Sequence, residues 1–157
     1  MSEIKSNPFE DFRIEDSVGY LLARSRTMLA KAIDAALAEH NITHAQGSIL
    51  IRLATGKSTT AADFARELYI DAASMTRMID RLEKRGLLAR EPNPDDRRQF
   101  KLRLTNEGTT LAEKLPALYT ATLNRSFSGF SAEELGFLKY LLRKLLANCT
   151  LSDEKNN

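Results

Sequence analysis

Residues 71–108 read DAASMTRMIDRLEKRGLLAREPNPDDRRQFKLRLTNEG, and the change of pattern inside this stretch decides the fold. Its first half carries apolar residues at the i, i+3, i+4, i+7 spacing of one helix face: Met75, Met78, Ile79 and Leu82. After Gly86 apolar and polar residues alternate as far as Leu104, with turn residues PNPDDR between two such runs. The stretch therefore predicts a helix that Asp71 caps and Gly86 ends, followed by a two-stranded hairpin.

Upstream of this stretch the sequence predicts three helices. A long one spans residues 16–40, where apolar side chains recur at helical spacing, and it ends at Asn41. Thr43 caps a second helix that runs to Gly56, and a short polar loop follows it. Thr60 caps a third, short helix with the sequence AADFAREL.

Downstream, Thr105 restarts a helix that runs to about Ser128, and Pro116 inside it predicts a kink or a local break. Residues 131–134, SAEE, form a capping box, and the last eight residues, 150–157, are predicted to be a disordered tail. The fold class is therefore mainly α (α+β), with four helices, a hairpin and two helices. Between the capping box and the tail, one broad apolar stripe is marked by Leu135, Leu138, Leu141, Leu142, Leu145 and Leu146.

Composition excludes several classes of protein. The 157 residues, 43% of them hydrophobic, suit one domain or one domain with an extension. No apolar run approaches the roughly 20 residues of a membrane span, and no signal peptide is recognisable, so we expect a cytoplasmic protein. Cys149 is the single cysteine, and the pair His40 and His44 lacks an HExxH pattern, so no metal and no cofactor is expected. Without a nucleophile elbow, a phosphate loop or a Cys-His arrangement, the sequence offers no catalytic residue and predicts no enzyme.

The net charge of +2 hides an uneven distribution. Residues 1–16 carry five acids and two basic groups, whereas residues 77–103 carry five acids and nine basic groups. Such a concentration is typical of a surface that binds an anionic polymer, although a solvated charged surface has the same composition. The nine are Arg77, Arg81, Lys84, Arg85, Arg90, Arg97, Arg98, Lys101 and Arg103.

The outer side of helix 71–85 fits a major groove of DNA. Small and hydroxyl residues lie at its start, among them Thr76, and the cations Arg81 and Lys84 follow. A groove-binding helix must be thin where it approaches base edges and basic where it passes phosphates. At its start Arg77 can reach guanine in a bidentate manner, which is worth about 1–3 kcal/mol of discrimination.

The hairpin tip carries the adjacent arginines Arg97 and Arg98 on a turn stiffened by two prolines. Arginine on a narrow loop suits an A·T-rich minor groove, where the negative potential is enhanced. Since a bare carboxylate would be repelled by DNA, we interpret Asp96 as a brace for the arginine fork.

The stretch 71–108 resembles the winged helix-turn-helix core of the MarR family of bacterial transcription regulators. LEKRGLL at the helix end, the DxR wing and the strand ending in LTNEG occur in order at the right distances, and the resemblance covers roughly residues 16–149. It implies a homodimeric repressor that docks on a pseudo-palindromic operator in double-stranded DNA. Residues 1–42 plus 105–149 would form the dimerisation region, and 43–104 the DNA-binding region. By position, Arg98 matches the wing residue of the minor groove and Asp96 its partner, while the base-reading turn is matched by Ser74, Thr76 and Arg77.

One position departs from the family pattern. The turn between the two DNA-proximal helices often has glycine where this sequence has Tyr69. If that residue is left-handed, the side chain costs about 1–2 kcal/mol. We therefore expect a turn that is somewhat remodelled at the start of the reading helix.

The resemblance also implies a ligand, because many family members release DNA when a phenolic or other small aromatic acid binds between the dimer helices and the winged domain. Tyr20, Arg24 and His44 lie near the junction of the first two helices, and Arg24 could pair with a ligand carboxylate. Equally, Tyr20 fits a core residue and Arg24 a surface ion pair. Relatives that sense oxidants use a cysteine in the first helix, where this sequence has none, so we interpret Cys149 as a structural or incidental thiol.

Two other readings stay open on the sequence alone. The basic face fits a winged-helix module that binds an acidic protein instead of DNA. The helices at the two ends fit a single closed monomeric core instead of a dimer, although the stripe after residue 134 is wider than one covering contact requires.

Overall fold

Six helices and one antiparallel hairpin follow one another in residues 13–94 and 99–155, the part of the chain that this computed structural model describes. Their order is the predicted one. A single 3-10 turn, Ile14–Asp16, precedes the first helix, and another, Ala38–His40, follows it. The elements are α1 (Val18–Leu37), α2 (His44–Ala54), α3 (Ala61–Leu68), α4 (Ala72–Lys84), β1 (Leu88–Pro92), β2 (Phe100–Leu104), α5 (Asn106–Ser126) and α6 (Ala132–Lys155).

The predicted caps set the starts of the three short helices. Thr43 and Gln46 form a reciprocal capping box at α2, in which each side chain accepts from the other's backbone N–H. The hydroxyl of Thr60 and the carboxylate of Asp71 accept the N–H groups three residues on, at 3.2 Å and 2.8 Å. Asn41, left-handed at φ 52°, ends the turn after α1 as predicted.

One apolar core unites every element up to the middle of α5. Its fully or nearly buried side chains come from α1 to α4, from both strands and from α5. Because α4 contributes three of them from one side, the orientation of its opposite side is fixed. The buried apolar residues are Leu37, Ile42, Ile49, Leu50, Phe64, Met75, Ile79, Leu82, Leu87, Leu88, Leu102, Ala112 and Leu115.

The hairpin pairs Leu88 with Leu104 and Pro92 with Phe100. A third backbone segment joins it, because the N–H of Leu102 donates to the carbonyl of Thr59 at 2.7 Å. Residues 57–59 were predicted as a polar loop, and their end in fact borders β2. The alternation of apolar and polar residues identifies a strand of five residues, but it cannot identify a single residue such as Thr59 that bonds to the edge of the hairpin.

The LTNEG sequence fastens the hairpin to α5. Thr105 caps α5 by accepting the N–H of Gly108 at 3.0 Å, and its hydroxyl donates to the carbonyl of Gly86 at 2.5 Å. A Cβ on Gly108 would lie 1.8 Å from the carbonyl oxygen of Leu87. Only glycine permits this approach, which gives a physical reason for its place in the motif.

The later helices differ from the sequence prediction in two places. α5 continues past Pro116 without the local break that was one of the two predicted alternatives; proline removes only one intrahelical hydrogen bond, and the neighbouring Leu115 is fully buried. α6 runs to Lys155, beyond position 150, where the disordered tail was predicted to begin. No glycine or proline in 150–155 ends the helix, which therefore propagates; residues 156–157 lie outside the described part.

Internal contacts divide the chain into two compact units, Met1–Leu123 and Asn124–Asn157. In the second unit the rings of Phe127 and Phe130 meet edge to face at 5.5 Å. The predicted capping box at the start of α6 is present, with Ser131 N–H donating to Glu134 at 2.7 Å and Glu134 N–H to the Ser131 hydroxyl at 3.2 Å. No side chain described between residues 124 and 149 is buried.

Within the described ranges, no helix has the length and apolar character needed to cross a membrane.

Candidate nucleic-acid interface

Helix α4 has the two faces that its sequence predicts. Met75, Ile79 and Leu82 are at most 1% exposed and belong to the core. The opposite face is exposed, and its small residues precede its cations. This outer face consists of Ala73, Thr76, Arg77, Arg81 and Lys84.

The first turn of α4 arranges its polar groups in a chain. Asp71 accepts the backbone N–H of Ser74, and this bond, followed by one from the Ser74 hydroxyl, holds the pKa of Asp71 below its usual range. The Ser74 oxygen in turn accepts a hydrogen bond from the guanidinium of Arg77 at 2.7 Å. Ser74 thus holds the one arginine at the start of the outer face.

Thr76 presents a different surface next to this arginine. Its hydroxyl donates to the carbonyl of Ala72 at 2.9 Å, so its methyl group and an oxygen lone pair remain available on an exposed residue. Farther along, Arg81 and Lys84 have no ion pair within the described residues. The outer face therefore offers a small, partly apolar beginning and uncompensated positive charge at its end.

Sequence reasoning counted Arg90 as part of the basic surface, but its guanidinium is engaged. It donates to Asp80 at 2.6 Å and also pairs with Glu83, both on α4. The hydrogen bond to Asp80 is the main cause that raises the pKa of Arg90. The ion pairs fasten β1 to the reading helix. The sequence did contain a signal for these ion pairs, because Asp80 and Glu83 are three residues apart and therefore lie on the same side of α4.

Two more basic groups hold the fold together. Arg103 donates to Glu91 across the hairpin at 2.5 Å. Arg85, just after α4, donates to the backbone carbonyls of Asn41 at 2.5 Å and His40 at 2.9 Å. This residue links the end of α4 to the end of α1. The charge count of the sequence therefore overstates the positive charge that is free to meet a polyanion.

The wing residues Arg97, Arg98 and Asp96 lie outside the described residues. Directly before them, the N–H of Asn93 donates to the carbonyl of Gln99 at 3.3 Å and closes the hairpin ladder.

The structure brings together two of the three predicted ligand residues. Arg24 donates to the phenolic oxygen of Tyr20 at 3.4 Å, and both line a groove of about 290 Å³ whose lining residues all belong to α1. His44 does not line this groove. Its backbone N–H donates to Asp34 at 2.6 Å, its Nδ1 lies 3.2 Å from the same oxygen, and its carbonyl accepts from Tyr119 at 2.8 Å.

A second groove, of about 540 Å³, was not predicted from the sequence. It lies between the end of α2, strand β2 and the first half of α5 and includes Leu53, Arg103 and Glu113. These elements are about 50 residues apart, so no local pattern indicates it. No group of three histidine, cysteine or acidic side chains in 13–94 and 99–155 is arranged to hold a metal ion.

Comparisons with known proteins agree with this architecture. The sequence model of the MarR family matches residues 42–100. The chain is 31% identical over 140 residues to the organic hydroperoxide resistance transcriptional regulator of Bacillus subtilis, covering 89% of this chain and 94% of that protein. It is 33% identical over 107 residues to the multiple antibiotic resistance protein MarR of Escherichia coli, covering 68% of this chain and 74% of the relative. The chain belongs to the MarR family.

Solved structures of the family extend the match to the whole fold. A mutant MarR from E. coli in complex with operator DNA superimposes with a TM-score of 0.77 at 27% identity, covering 90% of this chain and 99% of that one. The S. aureus MepR–DNA complex gives a TM-score of 0.76 at 25% identity, covering 84% and 98%. The predicted winged helix-turn-helix fold is confirmed. As a MarR-family protein the chain is a DNA-binding transcription regulator. Membership of this family, whose members are regulators, agrees with the prediction that the chain is no enzyme.

Proposed function

We propose that this MarR-family chain is a homodimeric repressor that reads a pseudo-palindromic operator, with one α4 in the major groove of each half-site. The observation that carries the proposal is the outer face of α4, where Ser74 holds Arg77 beside the exposed Thr76. A guanidinium held in place loses less freedom when it binds a base edge, and its fork matches the two acceptors of guanine.

The rest of the outer face suits the DNA backbone. Arg81 and Lys84 are exposed and carry no ion pair within the described chain, so phosphates can take the place of water around them. The wing completes the interface, with Arg97 and Arg98 entering the minor groove and Asp96 bracing the arginine fork. The ion pairs of Arg90 support this geometry, because they fix β1 on α4 and so set the distance between the two reading elements.

The dimer rests on the apolar side chains that one copy leaves exposed. Residues 1–42 plus 105–149 form the dimerisation region in this proposal, and 43–104 the DNA-binding region. Exposed large apolar side chains along a helix mark an interaction site. On α1 and α6 the large hydrophobic residues that are at least two-fifths exposed are Val18, Leu21, Met28, Phe137, Tyr140, Leu141, Leu145 and Leu146.

Selection from a pool of random DNA duplexes tests the proposal. The wild-type chain should enrich a pseudo-palindrome whose half-sites lie about one helical turn apart, since two α4 helices related by a two-fold axis read equivalent bases. Failure to enrich any sequence would contradict sequence-specific reading. Enrichment of a single half-site would contradict the dimer. Binding to an acidic protein with no affinity for any duplex would instead favour the protein-interaction module.

A small aromatic acid is the proposed effector, bound at Tyr20 and Arg24. Their shared groove offers a phenol next to a guanidinium, which suits a ring that bears a carboxylate. The position of His44 at Asp34 removes it from this set. A related structure, 27% identical with a TM-score of 0.75, concerns regulation of DNA binding of Bordetella bronchiseptica BpsR by 6-hydroxynicotinic acid.

That acid is a suitable probe. It should raise the melting temperature of the wild-type chain and weaken its binding to the selected duplex, whereas nicotinamide, which lacks the carboxylate, should do neither. Arg24→Ala should abolish both effects, and the matched variant Arg26→Ala, an exposed arginine of α1 outside the groove, should retain them. Equal responses of the two variants would contradict this site.

A further inference from the structure

Tyr69 occupies a backbone conformation that normally requires glycine. Its φ of 51° and ψ of 45° are left-handed, and it ends α3 in a Schellman arrangement. The N–H of Ile70 donates to the carbonyl of Ala65 at 3.0 Å, and the N–H of Tyr69 to that of Arg66 at 3.4 Å. The helix end therefore imposes this conformation on residue 69. Because Tyr69 is left-handed, its side chain carries the energetic cost that the sequence predicts in that case.

Within the described part of the chain, the side chain of Tyr69 takes no part in holding this backbone conformation. The side chain of Tyr69 is 89% exposed, and no hydrogen bond of its phenol to residues 13–94 or 99–155 is present. The hydrophobic contact that accompanies a Schellman arrangement comes from its neighbours, since Ile70 and Ala65 pack on the core. Backbone hydrogen bonds and this contact hold the strained conformation, while the phenol itself stays exposed. Strained residues of this kind cluster at binding sites.

The place of Tyr69 identifies what it binds. It lies between α3 and α4, two residues before Asp71, so it stands next to the turn in which Ser74 holds Arg77. A helix that enters a major groove has the phosphates of the groove edge beside its first turn. Tyrosine is one of the neutral side chains that donate to phosphate oxygens and thereby fix the register of a protein on the duplex.

We infer that Tyr69 is a DNA contact, with its phenolic O–H donating to a phosphate oxygen at the edge of the groove that α4 enters. This inference rests on the proposed function, because it needs α4 in the groove. The phenol is uncharged, so the contact adds affinity without releasing a counterion. It positions the reading helix and carries no base preference of its own.

Four proteins test the inference: wild type, Tyr69→Phe, Tyr69→Gly and Asn41→Gly. Each is titrated with the duplex that the wild type selects and with a scrambled duplex, at several salt concentrations. Tyr69→Phe should bind both duplexes about tenfold or more weakly, because each dimer loses two hydrogen bonds to charged groups, with an unchanged salt slope. Tyr69→Gly should bind at least as weakly while its melting temperature stays the same or rises, because glycine relieves the strain.

Asn41→Gly is the matched control. Asn41 is the other left-handed residue that is not glycine in the described chain, and it ends the turn after α1. This variant relieves the same kind of strain and should keep wild-type affinity.

The outcomes separate the inference from the proposed function. If the wild type selects a duplex and Tyr69→Phe binds it equally well, the inference is overturned and the proposed function stands. A salt slope reduced in Tyr69→Phe would also overturn it, since that result indicates a lost charge contact. If the wild type selects no duplex, the proposed function fails and the inference fails with it.

Discussion

Helices α4 and α6 both carry apolar residues at helical spacing, but these residues differ in burial. α4 buries Met75, Ile79 and Leu82 almost completely in the core. On α6, Phe137 is 63% and Leu146 is 64% exposed, and none of its described side chains is buried. The apolar face of α4 is thus buried in its own unit, whereas the described apolar side chains of α6 are partly or largely exposed.

The difference separates two roles within one regulator. A helix whose apolar side is buried presents its polar side in a fixed orientation, as base reading requires. A helix whose apolar side is exposed is suited to assembly with another surface. In the proposed function, α4 is therefore the reading helix and α6 part of the dimer interface. Each prediction below tests one half of this contrast.

The largest effect is expected in the core under α4. Ile79→Ala should lower the free energy of unfolding by about 2–5 kcal/mol, because it leaves a cavity among fully buried neighbours. Leu141→Ala on α6 should cost less, and its cost should depend on protein concentration, because that side chain is 45% exposed in one copy. Denaturant unfolding at several protein concentrations measures both free energies. Equal losses that do not depend on protein concentration would contradict the difference between α4 and α6.

Charge on the apolar face of α6 should prevent assembly. Leu141→Glu should yield a monomer by light scattering and weaken binding to the selected duplex about a hundredfold or more, since both half-sites no longer bind together. Lys144→Glu places the same charge on an exposed polar position of α6 and should leave the dimer intact. A monomeric wild type would contradict the proposed interface directly.

The reading face and the wing should respond differently to loss of an arginine. Arg77→Ala should remove about 1–3 kcal/mol of discrimination at one base-pair position of each half-site, because the bidentate contact disappears. Arg98→Ala should weaken binding more evenly across sequences. Affinities for a set of single-base variants of the selected duplex distinguish the two patterns. The reverse result would show that helix and wing have exchanged roles.

The smallest effect concerns the helix starts in acid. The backbone N–H of Ser74 holds the pKa of Asp71 below its usual range, and backbone N–H donation with the Ser131 hydroxyl does the same for Glu133 on α6. A lowered pKa in the folded state gives stability that is present above the unfolded pKa and lost as the pH falls through the folded one. The melting temperatures of wild type and Asp71→Asn should therefore converge as the pH falls below 3.8, the ordinary pKa of an aspartate side chain. The melting temperatures of wild type and Glu133→Gln should converge in the same way. A difference in melting temperature that grows in acid would contradict the hydrogen bonds assigned to these carboxylates.

The sequence predicts the elements well because their signals are local. The caps at Thr43, Thr60 and Asp71 act over three residues, and the helical and strand periods are visible within single elements. The left-handed turn at Tyr69 was likewise recognisable from the family pattern, and its conformation is observed.

Long-range partners explain most of what the sequence missed. Arg85 bonds to carbonyls 44 and 45 residues away, and no pattern in either segment indicates this. Arg90 appeared to be surface charge because the register of β1 on α4 was not known. His44 was grouped with Tyr20 and Arg24 by its place in the chain, whereas the structure places it beside Asp34. These three differences arise from tertiary packing, which no local pattern shows.

The central claim is that the outer face of α4 meets DNA phosphates while α6 does not. Its most direct test is the salt dependence of binding to the selected duplex. The logarithm of the affinity should fall steeply and linearly with the logarithm of salt concentration, by about 0.9 per phosphate neutralised. Because each dimer carries two copies of these side chains, Arg81→Ala and Lys84→Ala should each reduce that slope by about 1.8, and Lys144→Ala on α6 should leave it unchanged. A flat wild-type line, or a slope that changes equally in all three variants, would contradict the account.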